Sequence, residues 1–295
     1  MGLSCDSSGW VNVVLTGSGT HLKGLEAAAR SILQNTATLD VITIHIFQLE
    51  NDIFEPVRMA MLQKWIERKG STLALYNFTE SDIGIYLNNR LTKKFDSTRL
   101  KAPSNYVRYI LADALPQNTT KCMYMDTDIV ALKDIVPLYN ETLRLSTKIL
   151  GAFPRESRNI WNETYRKLID HGIDVAEPLP NFNAGLLIIN LELWRRQNIS
   201  RKAAEVASLN NELALWPHFG SQPPLIVLLG GSRFEKLNTS LFMNNAAYIK
   251  LADIAHEHIM FMHWNGKQKP WVPCAGWAPR QSCHNFDVWS IYSTP

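Results

Sequence analysis

Two aspartates one residue apart, Asp126 and Asp128, close an apolar run in Lys121-Cys-Met-Tyr-Met-Asp-Thr-Asp-Ile-Val-Ala-Leu132. Bringing two carboxylates together where a core strand ends costs free energy unless a cation lies between them. Side chains alternate along a strand, so the spacing predicts that both point to one side and share one ion. Oxygen donors suit a hard divalent cation such as Mn2+ or Mg2+, and such an ion can in turn hold a diphosphate. Unpartnered, the two carboxylates would repel, so neutralising one is expected to leave stability unchanged or slightly raised. An Asp-x-Asp alone is equally the pattern of a solvated turn. Its place directly after an apolar run is what points to chemistry.

Strands separated by helices must present this pair. Val11 to Thr16, Val41 to Leu49, Thr72 to Tyr76 and Cys122 to Met125 read as strands. Between them, helical spacing of apolar residues runs over His21 to Asn35, Phe54 to Arg68 and Asn105 to Leu115. That alternation predicts βαβ units and a parallel sheet covered on both faces. Ligands bind beyond the carboxyl ends of the strands in such sheets, where the Thr16 turn and the aspartates both fall, so a nucleotide is the expected ligand. The second part is less regular. Ile149 to Phe153, Ala184 to Asn190 and Ile259 to His263 read as strands and Ile160 to Gly172 as a helix. No repeat or linker divides the chain. The expectation is one domain over residues 10–290, with a nucleotide-binding half (10–132) and a donor-sugar and acceptor half (133–290).

The 295 residues carry a net charge of +3 with scattered lysines and arginines, which argues against nucleic acid as a partner. No apolar run is long enough for a membrane span, and the first residues lack a signal-peptide layout. A cytosolic chain, or a piece of a longer one, would both fit. Six sequons favour the secretory lumen: Asn77, Asn118, Asn140, Asn162, Asn198 and Asn238 each begin Asn-x-Ser/Thr, where chance would give about two or three. Among four cysteines, Cys274 and Cys283 could close a short loop, and Cys122 reads as a buried free thiol.

Four more segments join the aspartates: Asn105-Tyr-Val-Arg-Tyr-Ile110, Asn181-Phe-Asn-Ala-Gly185, Gly220-Ser-Gln-Pro-Pro-Leu225 and His263-Trp-Asn-Gly-Lys-Gln-Lys-Pro-Trp271. With Leu191 to Ile199 after the Asn-Ala-Gly strand, their order resembles glycosyltransferase family 8, the retaining, metal-dependent enzymes. The look is that of the animal glycosyltransferase 8 domain-containing proteins and the plant galacturonosyltransferase-like branch. The likeness spans about residues 10 to 290, and it implies a GT-A type α/β fold with a Rossmann-like, mostly parallel sheet.

Carried over by the resemblance, Asp126, Asp128 and His263 would bind Mn2+ (or Mg2+), and a UDP-sugar would be the donor. Lys269 would meet the β-phosphate as charge develops on the leaving diphosphate. Gly266 would let backbone approach the phosphates, and Arg108 would reach the donor. Asn183 and Gln222 would line the sugar pocket, with Gln222 on the face of the anomeric carbon. Blander readings stand beside these: a core histidine for His263, a surface lysine for Lys269, a plain salt bridge for Arg108.

Two departures from the bacterial pattern bear on function. Acidic residues that contact uracil are replaced by Gly17-Ser18-Gly19, where Ser18 still offers a hydrogen bond, and Asp-Gln-Asp becomes Ser221-Gln222-Pro223. The expected activity is transfer of a hexosyl, uronosyl or pentosyl group to a hydroxyl of a glycan or glycoprotein acceptor, in the secretory lumen, with the Golgi the expected compartment. The alternative is a catalytically silent relative acting as a binding partner. A phosphoryl-transfer enzyme is disfavoured, because no Gly-x-x-x-x-Gly-Lys-Ser/Thr loop is present.

Overall fold

The computed structural model describes residues 9–79, 81–82, 103–155, 162–177, 179–216, 220–251, 257–272 and 284–293. Cys274 and Cys283 lie outside these, as does the start of the helix expected at Ile160; Cys122 is a buried free thiol. Seven strands form one sheet in the order β3-β2-β1-β4-β7-β6-β8. They are β1 (Val11–Gly17), β2 (Ile42–Leu49), β3 (Thr72–Phe78), β4 (Lys121–Asp126), β6 (Leu150–Arg155), β7 (Asn181–Asn190) and β8 (Glu235–Lys236). β1, β2, β3 and β4 are parallel, as the alternation with helices predicts.

β7 alone runs against its neighbours, pairing antiparallel with both β4 and β6. This reversal, which the sequence pattern did not reveal, brings Asn183 and Gly185 at the start of β7 to the end of β4 that carries Asp126. A fully buried strand reads as a continuous apolar run in either direction, so hydrophobicity carries no sign of polarity.

A second sheet, in the order β5-β10-β9, comprises Ile129–Ala131 (β5), Phe261–His263 (β10) and Phe242–Asn244 (β9). It corrects the reading of the aspartate pair. β4 ends at Asp126, Thr127 and Asp128 form a turn, and Ile129 starts the other sheet. The two carboxylates are brought together by that turn, not by alternation within one strand.

The sheet is covered on both faces. Val13, Leu15, Met123 and Met125 pack under α1 (Leu22–Asn35) and α2 (Pro56–Arg68). Val14, Cys122 and Tyr124 face α3 (Val107–Ala114) and its neighbours. Even-numbered β4 residues thus look towards α3, which sets the direction of Asp126. Two helices on this face escaped the sequence reading: Ile199–Leu213 and Gln222–Leu229. The second buries Pro223 through Leu229, so it shows no polar stripe. Its two prolines fall in the first turn, where the missing N–H groups cost nothing.

Candidate active site

Register fixes the floor of the site. Thr16 stands opposite Asp126 at the carboxyl ends of β1 and β4. In the small sheet His263 stands opposite Ile129 on one side and Asn244 on the other. The Trp264 N–H donates to the Asp128 carbonyl at 2.9 Å. One ligand atom each from Asp126, Asp128 and His263 therefore lies within 4.8 Å of the others.

Each carboxylate has its own cations. Asp128 sits 3.2 Å from His263 Nε2 and is paired with the Lys269 ammonium. Burial opposes ionisation of Asp128, and the charges and hydrogen bonds of His263 and Lys269 outweigh it, holding the carboxyl below its usual range. On the other side, Asp126 Oδ1 accepts from Tyr124 Oη at 2.7 Å and from Arg108 at 3.1 Å. The picture of two bare, repelling carboxylates is thereby corrected: losing the charge of Asp128 strands Lys269 rather than relieving repulsion.

Arg108 is buried and gives three further N–H groups to the carbonyls of Asn105 and Ala184 and to Tyr124 Oη. Lys269 also donates to the Trp264 carbonyl at 3.1 Å, which leaves one of its three N–H groups. The loop that carries it turns at Gly266, whose φ of +102° suits glycine.

One glycine and two polar atoms speak to what the pocket accommodates. A methyl carbon on Gly185 would stand 2.6 Å from His263 Cε1, 2.9 Å from Asn183 Oδ1 and 2.9 Å from Asp126 Oδ2. The missing side chain keeps the hollow between the ligand atoms open. Thr16 Oγ1 and His263 Nδ1 are buried with no hydrogen-bond partner among the described residues. A mixed carboxylate and imidazole set around an open hollow fits a divalent cation such as Mn2+.

Asn183 donates to Asn244 Oδ1 at 2.8 Å and accepts from Gly185 N at 2.7 Å. Gln222 Oε1 accepts from Ala184 N at 3.1 Å, so both amides converge on the Asn-Ala-Gly segment. In the turn after β1, Ser18 Oγ lies 2.8 Å from His21 Nδ1. Burial, and next the positive charge of Lys269, lower the affinity of His21 for a proton.

The structure thus gathers Asp126, Asp128, His263, Lys269, Arg108 and Asn183, with Gln222 on the Ala184 N–H and Thr16 at the floor. Ser18 is held by His21 at the rim. Sequence reasoning passed over several supporting residues. Tyr124 was taken only as core, although its spacing from Asp126 places it on the same strand face. Asn244 offered no pattern. Gly24 allows α1 to pack on the turn between Asp126 and Asp128: a methyl there would lie 2.7 Å from the Thr127 carbonyl and closer still to the Trp271 ring.

A mostly parallel sheet whose strand ends present this group defines the class, a glycosyltransferase of GT-A fold. The galactosyltransferase LgtC, solved with donor and acceptor sugar analogs, superposes with a TM-score of 0.69 at 19% identity over 96% of this chain and 95% of its own. The family model for glycosyl transferase family 8 matches residues 12–274, and the chain belongs to that family. Among its relatives are the probable galacturonosyltransferase-like 4 of Arabidopsis thaliana, 24% identical over 94% of this chain and 81% of the relative. Another is the glycosyltransferase 8 domain-containing protein 1 of Rattus norvegicus, 25% identical over 97% and 77%. The protein is a glycosyltransferase enzyme. Among the described residues no helix is long and apolar enough to cross a membrane.

Proposed function

We propose that the chain moves a hexosyl, uronosyl or pentosyl group from a UDP-sugar to a hydroxyl of a glycan or glycoprotein, with retention of configuration and dependence on Mn2+. The observation that carries this reading is the convergence of Asp126, Asp128 and His263 on one point with Lys269 beside it. Those three residues would hold the ion, which supplies positive charge against the diphosphate. Residues 10–132 would serve as the nucleotide half and 133–290 as the sugar and acceptor half.

This chain's own groups do the rest. Lys269 keeps one N–H for a phosphate oxygen, so it neutralises charge on the leaving diphosphate without leaving Asp128. Gly266 gives the backbone beside it room to approach the phosphates. Ser18, held by His21, offers a polar edge to the base or ribose, and the unpartnered Thr16 hydroxyl faces the same end of the sheet. Arg108 acts on the donor through Asp126, whose orientation it fixes. Asn183 and Gln222 would orient the sugar. Gln222 keeps its Nε2 hydrogens for a sugar hydroxyl, and the second lone pair of Oε1 for the anomeric face. LgtC too has an active-site glutamine, replaced by glutamate in one of its structures. An amide is a poor nucleophile, so front-face attack is favoured, with the leaving phosphate oxygen taking the acceptor's proton.

Six sequons support the secretory lumen, with the Golgi the compartment for a luminal glycosyltransferase. Titration of UDP with and without Mn2+, followed by NMR of the product anomer with a panel of UDP-sugars, tests the reading. Binding of UDP that requires Mn2+ and an anomer that keeps its configuration are expected. An inverted product overturns the mechanism. Tight Mn2+-dependent UDP binding without turnover of any UDP-sugar would instead make the chain a silent binding partner, a reading the Ser221 and Pro223 replacements favour.

A further inference from the structure

The sequon count is about twice what composition yields, and the fold gives the sequons an arrangement that the sequence does not show. Five of the six sequon asparagines have described side chains, and all five are exposed. Two have engaged amides: Asn77 Oδ1 accepts from Gln48 Nε2 at 2.8 Å, and Asn238 Oδ1 accepts from Ser240 N at 3.1 Å and Oγ at 3.0 Å. The other three, Asn118, Asn140 and Asn198, gather at one place.

That place is the amino-terminal end of β4. Asn118 lies in the turn that leads into the strand. Lys121 Nζ, at the strand's first residue, donates to the carbonyls of Asn140 at 3.5 Å and Thr142 at 2.5 Å. Arg195 donates to the carbonyls of Gln117 and Thr119, on either side of Asn118, and the Asn198 N–H donates to the Arg195 carbonyl at 3.1 Å. Asp126 is at the other end of the same strand, roughly 16 Å away at about 3.3 Å per residue. Gln197 and Ile199, the neighbours of Asn198, line an open hollow of about 570 Å3, so the ground beside that asparagine is free for a large substituent.

Folding explains part of the pattern. Thr142 Oγ1 donates to the Leu138 carbonyl and Ser200 Oγ accepts from Trp194 Nε1, so two of the sequon hydroxyls have structural work. Asn198 sits at φ +59°, a conformation asparagine tolerates. Nothing in the packing calls for asparagine at 118 or 140.

We propose that Asn118, Asn140 and Asn198 carry N-linked glycans, so that one end of the sheet is glycan-bearing and the opposite end holds the transfer site. The proposal rests on the luminal reading above. At each position the amide nitrogen takes an oligosaccharide from a lipid-linked diphosphate donor. The C1–Nδ2 bond forms as the C1–oxygen bond to phosphate breaks, Nδ2 loses a proton, and the lipid diphosphate leaves. Bulky, hydrated chains at this end leave the pocket unobstructed.

The test is a glycan map of the protein isolated from the cells that make it. Release by peptide-N-glycosidase in 18O water converts each modified asparagine to a labelled aspartate, read by peptide mass. Label at all three positions is expected; unlabelled Asn118, Asn140 and Asn198 overturn the proposal whether or not Asn77, Asn162 or Asn238 is labelled. A recombinant variant, Asn118→Gln/Asn140→Gln/Asn198→Gln, made in a eukaryotic secretory host, should lose three glycan mass increments and keep Mn2+–UDP affinity within about twofold. An affinity change of tenfold or more would show that this end is not separate from the pocket. Should the triple variant fail to fold, the three single variants give the same readout one increment at a time. Failure of UDP binding in parent and variant alike would fell the transferase reading and leave the glycan map standing.

Discussion

Two arginines, one at each end of the central sheet, use their donors in opposite ways. Arg195 donates to five backbone carbonyls, those of Ala112, Leu115, Pro116, Gln117 and Thr119. It closes the carboxyl end of α3 and the turn into β4, and its charge answers helix-end dipoles with nothing left over. Arg108, near the start of the same helix, donates to the Ala184 carbonyl and to the carboxylate of Asp126. Asp126 Oδ2 is left facing the hollow under Gly185. At the structural end every donor of Arg195 is used, although the Thr120 hydroxyl there is buried without a partner among the described residues. The end that carries Asp126 keeps a buried threonine hydroxyl, that of Thr16, and a histidine nitrogen, His263 Nδ1, without partners among the described residues. Unsatisfied buried groups are costly, and the two beside Asp126 and Asp128 stand where a bound ligand would complete their bonding.

The widest separation between the two ends should come from Asp128. Asp128→Asn removes a proposed metal ligand and leaves Lys269 beside a neutral amide. Mn2+-dependent UDP affinity should fall by at least about 100-fold, since even residues that only support metal ligands cost 10–100-fold. Breaking a buried ion pair should also lower stability by roughly 3 kcal/mol. Calorimetric titration and urea unfolding check the two effects. Parental affinity in the variant would place the ion elsewhere.

Arg195→Ala should do the reverse. Five carbonyls lose a charged donor, and water reaches only some of them, so unfolding free energy should drop by about 2 kcal/mol. Mn2+–UDP affinity, measured well below the melting temperature, should stay within about twofold. A tenfold loss of affinity would show that the two ends are coupled through α3.

How much of this was open to inspection in the chain itself follows the same division. Local patterns announced the parallel strands, the α1 and α2 helices and the Asp126/Asp128 pair, because each is written in neighbouring residues. The direction of β7 and the partnership of Ile129 with His263 are relations between segments distant in the chain, and no local pattern encodes them. Arg195 is a case in point. The Trp194-Arg195 pair looked like part of a family motif, and only the fold reveals that it caps a helix eighty residues earlier. The helix from Gln222 was missed because it is apolar on every side and opens with two prolines.

Acidity should sharpen the contrast by loosening the structural framework away from the pocket. His45 on β2 is buried, with Nε2 3.0 Å from Asn12 Oδ1 and Nδ1 3.1 Å from Tyr76 Oη. Burial lowers its pKa from 6.5 to about 4. A folded-state pKa below the unfolded one means that protons bind the unfolded chain more readily. The stability this histidine supplies is therefore complete above about pH 6.5 and is lost as pH falls towards 4, by up to roughly 3 kcal/mol. In His45→Gln, whose amide can serve both partners, the fall in unfolding free energy between pH 7 and 4.5 should be smaller than in the parent by about 2 kcal/mol. Parallel curves for the two proteins would mean that His45 is not the group responsible.

The smallest effect is the one that most directly tests whether the unsatisfied groups await a ligand. Thr16→Val keeps the size and branching of the side chain and removes only the hydroxyl, which has no partner among the described residues. In the unliganded protein the exchange relieves a buried, unbonded oxygen, so unfolding free energy should stay the same or rise by a few tenths of a kcal/mol. If that hydroxyl bonds the nucleotide or water held by the bound ion, its loss should weaken Mn2+–UDP affinity about five- to tenfold, the worth of one hydrogen bond. Calorimetric titration of UDP at saturating Mn2+, alongside urea unfolding of the unliganded chain, measures both. Unchanged affinity together with unchanged stability would make the Thr16 hydroxyl a spectator. A marked loss of stability without ligand would mean that the oxygen is already satisfied in the folded chain.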